Sequence, residues 1–237
     1  MLTVQSLVDN PNPASDAYGW HFQYLTIIGL ALALLTFFVG LLADLTSSRR
    51  LFLVKNTLLF CSAPLETLIS ILYWSLRTVG IITDYWRADT DIPQIDKKLV
   101  LPEWGALDLN ADIGFHAIPS ILLAIDMLFF SPPWTMGTLP AMGISAGIAF
   151  GYWFWIEFCY QQNGWWVAPG RTESCRTNLL FRYPYPIFEM ASTTQRATLF
   201  LGSAALMTGS AALLSFIYRR VNGSVYERPG YAKPKRA

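Results

Sequence analysis

Five stretches of this sequence are each long and apolar enough to cross a lipid bilayer, and no other feature restricts the fold as strongly. The first, residues 22–43, contains no charged side chain. A helix rises about 1.5 Å per residue, so about 20 apolar residues are enough to cross roughly 30 Å of hydrocarbon. The sequence therefore predicts an all-α, polytopic membrane helical bundle with about five transmembrane helices, at residues 22–43, 56–76, 113–130, 138–156 and 197–218.

The rest of the chain is too short and too divided to form a soluble domain beside the bundle. Only 14% of the 237 residues are charged, against roughly a quarter in an ordinary soluble domain. The first 20 residues are polar, contain proline and lack Lys and Arg, whereas a signal peptide begins with basic residues. We therefore expect a single integral-membrane domain over residues 1–237, with a polar segment 1–20, a first span retained as an anchor, and a basic tail 219–237.

The basic residues predict which side of the membrane each end faces. Five spans place the two termini on opposite sides, and the total numbers of Lys and Arg on the two sides are nearly equal. The side that contains the tail, however, concentrates its basic residues in short connections and in the tail, and such residues stay in the cytosol. We therefore expect a cytosolic C-terminus and a multi-pass protein of the endoplasmic reticulum or another endomembrane, with tail charges from Arg219, Arg220, Arg228, Lys233, Lys235 and Arg236.

Metal, phosphate and nucleic-acid binding find no support in the sequence. The three cysteines and two histidines show no zinc-ligand spacing, and the chain has no glycine-rich phosphate loop. The basic tail suits anionic lipid at the membrane surface rather than nucleic acid. We therefore expect no metal and no cofactor; the partners are the membrane and a lipid substrate from it, with the oligomeric state left open. A disulfide between Cys159 and Cys175, which both fall on the outer side, is a further hypothesis.

Small residues and prolines predict where helices approach each other and bend. Gly143, Gly147 and Gly151 follow one another at four-residue steps, which clears one face of the fourth span for close contact with another backbone. Pro64 and Pro119 lie inside spans and should kink them. After the fourth span, the many aromatic residues predict an amphipathic segment that is either a lid or a re-entrant piece.

A threonine and a histidine on different spans form the candidate catalytic pair. The first and third spans run in the same direction; Thr26 lies four residues past the start of one, and His116 three past the start of the other. Both therefore lie about one helical turn below the outer surface, where they can meet. A neutral imidazole can take the proton of a threonine hydroxyl, which is a poor nucleophile without a base. The alternative is structural, with each side chain only bonding its own or a neighbouring helix.

Polar and aromatic residues near the same level are candidates for orienting the imidazole or binding the substrate. The fourth span runs in the opposite direction and brings Glu157 to this level, near Tyr160, Gln161 and Asn163. Any of these could orient the imidazole or donate to an oxyanion, and the alternative is that Glu157 simply faces the lipid headgroups. Asp112 lies one turn before His116 and either bonds it or caps the helix, and the cap is the favoured role. The candidate substrate-binding residues are Tyr24, Glu157, Tyr160, Asn163 and Trp165.

Three other titratable residues inside the spans need an explanation, because charge is expensive in a bilayer. Asp126 lies ten residues beyond His116, which is about 15 Å along the helix axis, so it cannot join the same site. Lys55 enters the second span at a comparable depth, and this predicts a structural pair of Lys55 and Asp126. Glu66 lies near Pro64 and either bonds an amide freed there or lines a cavity.

Five motifs occur in order over about residues 18–190: YGWHFQYLT, ADLTSS, DIGFHAIPSILLAID, GYWFWIEFCYQQNGWWV and YPYPIFE. Together they resemble the androgen-induced, androgen-dependent family of integral-membrane hydrolases, whose members cleave fatty acid esters of hydroxy fatty acids. That family uses a threonine and a histidine as its catalytic pair. The resemblance places this pair on Thr26 and His116, the same two residues that the depth argument selects.

Two features depart from that family. Better-known members have a further hydrophobic segment before the catalytic threonine, which gives six spans. An insertion of about 15 residues, APGRTESCRTNLLFR, also precedes YPIFE here, near the predicted mouth of the site. Residues and resemblance together predict a lipid esterase, a threonine hydrolase that cleaves esters of hydroxy fatty acids with Thr26 as nucleophile and His116 as general base.

Two functions without ester cleavage are the alternatives. A membrane protein that binds or carries lipid would use the same cavity, with His116 as a hydrogen-bonding ligand, and an acyl-type probe would then leave Thr26 unmodified. A proton-coupled transporter would relay protons through His116, Glu66 and Asp126. Five short spans with no detectable inverted repeat argue against the transporter.

Overall fold

The computed structural model of the chain describes residues 17–78, 109–131, 137–163, 185, 188 and 191–223. In this part of the chain, every regular element is helical. The elements are, in order, a 3₁₀ helix Trp20–Gln23, α1 Leu25–Thr46, α2 Arg49–Thr78, α3 Leu109–His116, α4 Ile118–Ile125, a π-helical turn Asp126–Phe130, α5 Thr138–Gln162 and α6 Thr193–Asn222.

Five of the described helical stretches are long and apolar enough to cross a membrane. Helices α1, α2, α5 and α6 make one crossing each, and α3, α4 and the π-helical turn together make the other. The surface is apolar where that of a soluble protein would be polar, with Leu34, Phe154 and Leu139 exposed by 71%, 76% and 80%. In a bilayer these side chains contact lipid. The prediction of an all-α membrane bundle with about five spans is confirmed.

All five crossings contribute to one buried cluster, which holds the bundle together. Helix α1 packs chiefly on α2, α5 packs on α6, and α2 also meets α6. As a result α2 is the most buried of the five crossings. The cluster consists of Ala33, Leu59, Ala63, Leu123, Met127, Ala141, Ala211, Leu214 and Tyr218.

The side chains of Lys55 and Asp126 meet far from the start of α1. We call the end of the bundle at which α1 begins the upper end, and the opposite end the lower end. Near the lower end, Lys55 Nζ lies 2.7 Å from a carboxylate oxygen of Asp126 and 2.9 Å from Ser131 Oγ. The Lys55 and Asp126 side chains are only 4% and 14% exposed. The predicted structural pair is confirmed, and Ser131 completes the network by donating to Asp126.

The third crossing is interrupted after its first 8 residues, close to the point where the sequence predicts a kink. Ala117 departs from helical geometry with φ −123° and separates α3 from α4, whose first turn contains Pro119. Proline lacks a backbone N–H and crowds the preceding turn, so it is tolerated at the start of a helix and not in its interior. Helix α2, by contrast, continues through Pro64.

Several helix bounds differ from the predicted spans. Helix α1 begins three residues later than predicted, after the 3₁₀ helix, whereas α2 already begins at Arg49. Helix α5 continues to Gln162, so Glu157 and Tyr160 lie within it. Hydrophobicity defines the apolar centre of a span, but a helix can extend into the headgroup region, where its polar side chains are solvated.

The close contact predicted along the glycines of the fourth span is not found among the described residues. A Cβ atom at Gly143, Gly147 or Gly151 would meet no described atom within 4 Å, so no described helix approaches closely at these three positions. The close approaches occur on α1 instead. A Cβ atom at Gly29 would lie 2.6 Å from Glu66 Oε1, and one at Gly40 would lie 3.4 Å from Lys55 Cε.

The segment before α1 folds back on α5 and fixes the position at which α1 begins. The carbonyl of Gln23 accepts a hydrogen bond of 2.7 Å from the Tyr152 hydroxyl. Gly19 has φ 86°, and a Cβ atom there would lie 2.7 Å from Cys159 Sγ, so the close approach requires glycine. Cys159 is a buried free cysteine, so the disulfide hypothesis is not supported; Cys175 lies outside the described residues.

Candidate active site

Thr26 and His116 meet at the upper end of the bundle. Thr26 is the second residue of α1, His116 is the last residue of α3, and Thr26 Oγ1 lies 3.5 Å from His116 Nε2. The imidazole is buried and the threonine half-buried. The predicted proximity is confirmed, although the two spans do not begin at residues 22 and 113, from which the depths of Thr26 and His116 were counted. A separation of 3.5 Å is long for a hydrogen bond, as it often is in catalytic pairs without substrate.

The hydrogen bond made by His116 Nδ1 determines that the other ring nitrogen, Nε2, faces the threonine as a hydrogen-bond acceptor. His116 Nδ1 lies 3.2 Å from the backbone carbonyl oxygen of Asp112. A carbonyl oxygen only accepts hydrogen bonds, so Nδ1 carries the proton and donates it. In the neutral ring Nε2 then presents its lone pair to the Thr26 hydroxyl. This is the tautomer that a base needs in order to accept the threonine proton.

A clamp from α2 holds the imidazole in this orientation. The ring of Tyr73 stacks on that of His116, with centroids 3.5 Å apart and planes 1° from parallel. Arg77, one turn further along α2, donates to the Tyr73 hydroxyl at 3.3 Å and forms an ion pair with Asp112. The predicted N-cap role of Asp112 is therefore wrong. Its side chain lies within α3 and ties that helix to α2, while its carbonyl orients His116.

Tyr185 covers the other side of Thr26. Its hydroxyl oxygen accepts a hydrogen bond of 3.2 Å from the backbone N–H of Leu25 and lies within hydrogen-bonding reach of the Thr26 and Tyr152 side chains. Burial raises the pKa of the Tyr185 phenol above its ordinary value, although the hydrogen bonds with Leu25 and Thr26 act in the opposite direction. The phenol therefore stays protonated and keeps a proton to donate beside the threonine.

The other predicted substrate-binding residues are placed around this centre in different ways. Tyr24 packs edge-on against Tyr185, with ring centroids 5.7 Å apart, so it belongs to the wall beside Thr26. Tyr160 packs against the aromatic cluster at the same end of the bundle. Asn163 is buried and bonds Gln23 and the backbone of Tyr18, so it anchors the segment that precedes α1. Trp165 lies outside the described residues.

Glu157 lies on α5 and is engaged with the start of α6. Its carboxylate lies 3.1 Å from Arg196 Nε and accepts a hydrogen bond of 3.0 Å from the Trp153 indole. Arg196 in turn donates to the carbonyl oxygens of Phe188 and Ala191. Through Arg196, Glu157 therefore helps to hold in place the chain that carries Tyr185 and Phe188. It affects the surroundings of Thr26 only indirectly.

A comparison with models of protein families matches residues 2–174 to the FAR-17a/AIG1-like family. The chain belongs to this family. It is the androgen-induced family that the sequence resembles, so that prediction is confirmed. Among curated proteins, a UPF0641 membrane protein of Schizosaccharomyces pombe is 42% identical over 153 residues, which are 65% of this chain and 62% of that protein. The match thus covers less than two thirds of the relative's length. No solved structure matches the chain.

In this FAR-17a/AIG1-like protein, sequence reasoning missed Tyr73 and Tyr185, the two aromatic residues that flank the catalytic candidates. Tyr73 and Arg77 lie seven and eleven residues after Glu66, so the three share one face of α2. That spacing was the signal in the sequence from which Tyr73 and Arg77 could have been found. Tyr185 lies in the YPYPIFE motif, which carried the resemblance, but nothing local places it against Thr26, 159 residues earlier in the chain.

The described part of this family member's site contains hydroxyl, imidazole, phenol and carboxyl groups. Among the described residues, no group of three or more His, Cys, Asp and Glu side chains is arranged to hold a metal ion. Glu66, the carboxyl group nearest Thr26 on the helical face that also carries Tyr73, is buried beside Gly29.

Proposed function

We propose that this protein is an integral-membrane lipid hydrolase that cleaves esters of hydroxy fatty acids, with Thr26 as nucleophile and His116 as general base. The observation that carries the proposal is the succession of three neighbouring groups: the Thr26 hydroxyl, the imidazole of His116, and the Asp112 carbonyl that holds the proton on Nδ1. A nucleophile, its base and a group that orients the base recur in enzymes that form acyl intermediates.

The first half of the reaction transfers the acyl group to the threonine. Thr26 Oγ1 attacks the carbonyl carbon of the ester while His116 Nε2 takes the hydroxyl proton. The imidazolium then gives this proton to the alkoxy oxygen as the carbon–oxygen bond breaks, and the hydroxy fatty acid leaves as the alcohol. The acyl group remains on Thr26 as an ester.

The second half uses the same imidazole on water. His116 Nε2 takes a proton from a water molecule, whose oxygen attacks the acyl carbon. The proton returns to Thr26 Oγ1 as the acyl–oxygen bond breaks, and the fatty acid is released. Threonine and imidazole end in their starting states, so ester and water are converted to acid and alcohol without any other reactant.

Tyr185 is the group best placed to stabilise the charge that develops on the carbonyl oxygen in both halves. Its phenol is protonated, half-buried and within hydrogen-bonding reach of Thr26, and its oxygen is held by the Leu25 N–H. A donor that is fixed beside the nucleophile stabilises an oxyanion strongly because little water competes with it. This role replaces the one expected of Glu157 and Asn163.

We expect the lower end of the bundle to face the cytosol of the endoplasmic reticulum or another endomembrane. Arg49, Arg50, Arg219 and Arg220 lie at this end, where α1 joins α2 and α6 finishes. At the upper end, Arg77 and Arg196 are instead paired with Asp112 and Glu157. Basic residues in short connections favour the cytosolic side, which would place the Thr26 site near the opposite surface.

Tyr73 should act on catalysis through the orientation of His116. Replacement of Tyr73 by alanine removes the stacked ring, so the imidazole can rotate away from Thr26, and kcat for ester hydrolysis should fall by about a hundredfold. Tyr73→Phe keeps the ring and loses only the hydroxyl that Arg77 contacts, so it should retain kcat within about threefold. The measurement is steady-state hydrolysis by the purified variants, with KM nearly unchanged in both. Equal losses in the two variants would contradict a role for stacking.

Covalent labelling separates a hydrolase from a lipid carrier. An acyl-type probe with a reactive leaving group should modify Thr26 in the wild-type protein, as seen by mass spectrometry of the peptide that contains α1. His116→Ala should greatly reduce the labelling because the hydroxyl loses its base. A protein that binds the probe reversibly but is never modified at Thr26 would contradict the hydrolase and favour the carrier.

A further inference from the structure

The carboxyl group of Glu66 is the most unusual polar group inside the bundle. Glu66 is 1% exposed, and neither of its side-chain oxygens has a hydrogen-bond partner among the described residues. Buried polar groups are almost always paired, because an unpaired one loses its hydration without compensation. Lys55, Asp126 and Asp112 all have ionic partners in this bundle. Ionic pairing therefore explains the other buried charged residues but does not explain Glu66.

The position of Glu66 relates it to the Thr26 site. Its Oε1 lies 2.6 Å from the point that a Cβ atom on Gly29 would occupy, so the carboxyl group fills the space left by the missing side chain. Gly29 follows Thr26 by three residues on α1 and lies on the same face of that helix. The carboxyl group is thus about one helical turn deeper than the nucleophile, or roughly 4.5 Å along the axis.

Helix α2 points Glu66 and Tyr73 in the same direction. The two residues are seven positions apart, which is close to two full turns, so both face α1 and the third crossing. Tyr73 stacks on His116, and Ile69, between them, lies 2.7 Å from the same Gly29 Cβ position. Helix α2 therefore forms one wall of the site. Near the surface this wall carries the Tyr73 ring that stacks on the imidazole, and below it lies the unpaired carboxyl group of Glu66.

We infer that Glu66 binds the hydroxyl group of the hydroxy fatty acid, the alcohol that ester cleavage releases. This inference rests on the proposed function. The alkoxy oxygen of an ester is one bond from the carbonyl carbon that Thr26 attacks, so after cleavage the hydroxyl lies within about one helical turn of Thr26. A hydroxyl group both donates and accepts hydrogen bonds, so it pairs with a carboxyl group whether or not the latter is protonated. An acid without the hydroxyl leaves Glu66 unpaired.

The test compares two ligands that differ only in this hydroxyl. Purified protein in detergent micelles is titrated with octadecanoic acid and with a hydroxyoctadecanoic acid that carries its hydroxyl at mid-chain. The wild-type protein should bind the hydroxylated acid about threefold to tenfold more tightly. Glu66→Met, which keeps an unbranched side chain of similar length, should bind both acids equally, whereas Glu66→Gln should keep a preference. A preference that survives in Glu66→Met, or its absence from the wild-type protein, would overturn the inference.

Thermal unfolding without ligand gives a second readout. Methionine replaces two unpaired oxygens by apolar atoms, so Glu66→Met should unfold at the same temperature as the wild-type protein or about 2–4 °C higher. A clearly lower unfolding temperature would show that the carboxyl group supports the fold, contrary to the inference. Thr36→Val is the matched control, because Thr36 is also buried between α1 and α2 but already bonds Leu32 and Ser62; it should leave the ligand preference unchanged.

The two proposals can fail separately. A wild-type protein that prefers the hydroxylated acid through Glu66 but cleaves no ester would refute the hydrolase and keep Glu66 as a hydroxyl-binding residue. A protein that cleaves the ester through Thr26 without distinguishing the two acids would refute only the role of Glu66.

Discussion

Replacement of Thr26 or His116 by alanine should lower kcat for hydrolysis of a hydroxy fatty acid ester by at least about a thousandfold. Without the threonine there is no atom to carry the acyl group, and without the imidazole the hydroxyl keeps its proton. The two residues act as one unit, so the double variant should be no less active than the poorer single variant. The measurement is single-turnover hydrolysis by purified protein in micelles.

Two further variants make this result interpretable. Thr57→Ala removes the same hydroxyl from an exposed threonine of α2 that bonds only its own helix, so its activity should equal that of the wild-type protein. Thr26→Ser keeps a hydroxyl at the nucleophile position and should recover part of the activity that alanine loses. Wild-type activity in Thr26→Ala, with unfolding temperatures unchanged, would show that the threonine is not the nucleophile.

Replacement of Lys55 by methionine should lower the free energy of unfolding by about 3–5 kcal/mol, which is the largest stability effect we expect in the chain. The change leaves the carboxylate of Asp126, only 14% exposed, with Ser131 as its remaining partner and no opposite charge. Removal of one partner from a buried ion pair costs more than the pair contributes, because the other charge stays in a medium of low polarity. Denaturant unfolding in micelles measures the loss.

The double variant Lys55→Met with Asp126→Leu distinguishes the pair from two separate effects. Removal of both charges should restore most of the stability, since no uncompensated charge remains. Arg50→Met, at an exposed position of the same helix, removes an equal charge and should change stability by less than about 0.5 kcal/mol. Losses that simply add in the double variant would mean that Lys55 and Asp126 do not interact.

The sequence predicted the membrane bundle, the catalytic candidates and the buried ion pair because each has a local signature. Twenty apolar residues have few alternatives to a membrane helix, and a charge within such a helix needs a partner at the same depth, which Lys55 and Asp126 provide for each other. Thr26 and His116 were paired from the predicted starts of their spans, and they do meet, although both starts were misplaced by three or four residues.

The errors concern contacts whose partners are far apart in the chain. The glycines of α5 suggested a helix contact, but a small residue shows only that another helix can approach, and the contact of the described residues falls on Gly29 and Gly40 of α1. Asp112 fits the pattern of a helix cap until Arg77, at the end of another helix, is placed beside it. In both cases the local pattern permits several partners and the packing selects one.

The sequence by itself determined that this chain crosses a membrane about five times and that a threonine, a histidine and a glutamate lie within its spans, because the cost of polar groups in hydrocarbon depends on composition and depth. Only the tertiary structure decided what surrounds them: the ring of Tyr73 that fixes the imidazole, the phenol of Tyr185 beside Thr26, and the space at Gly29 that receives Glu66. Those choices depend on how the helices are rotated about their own axes. Such rotation is set by the packing of all five crossings together.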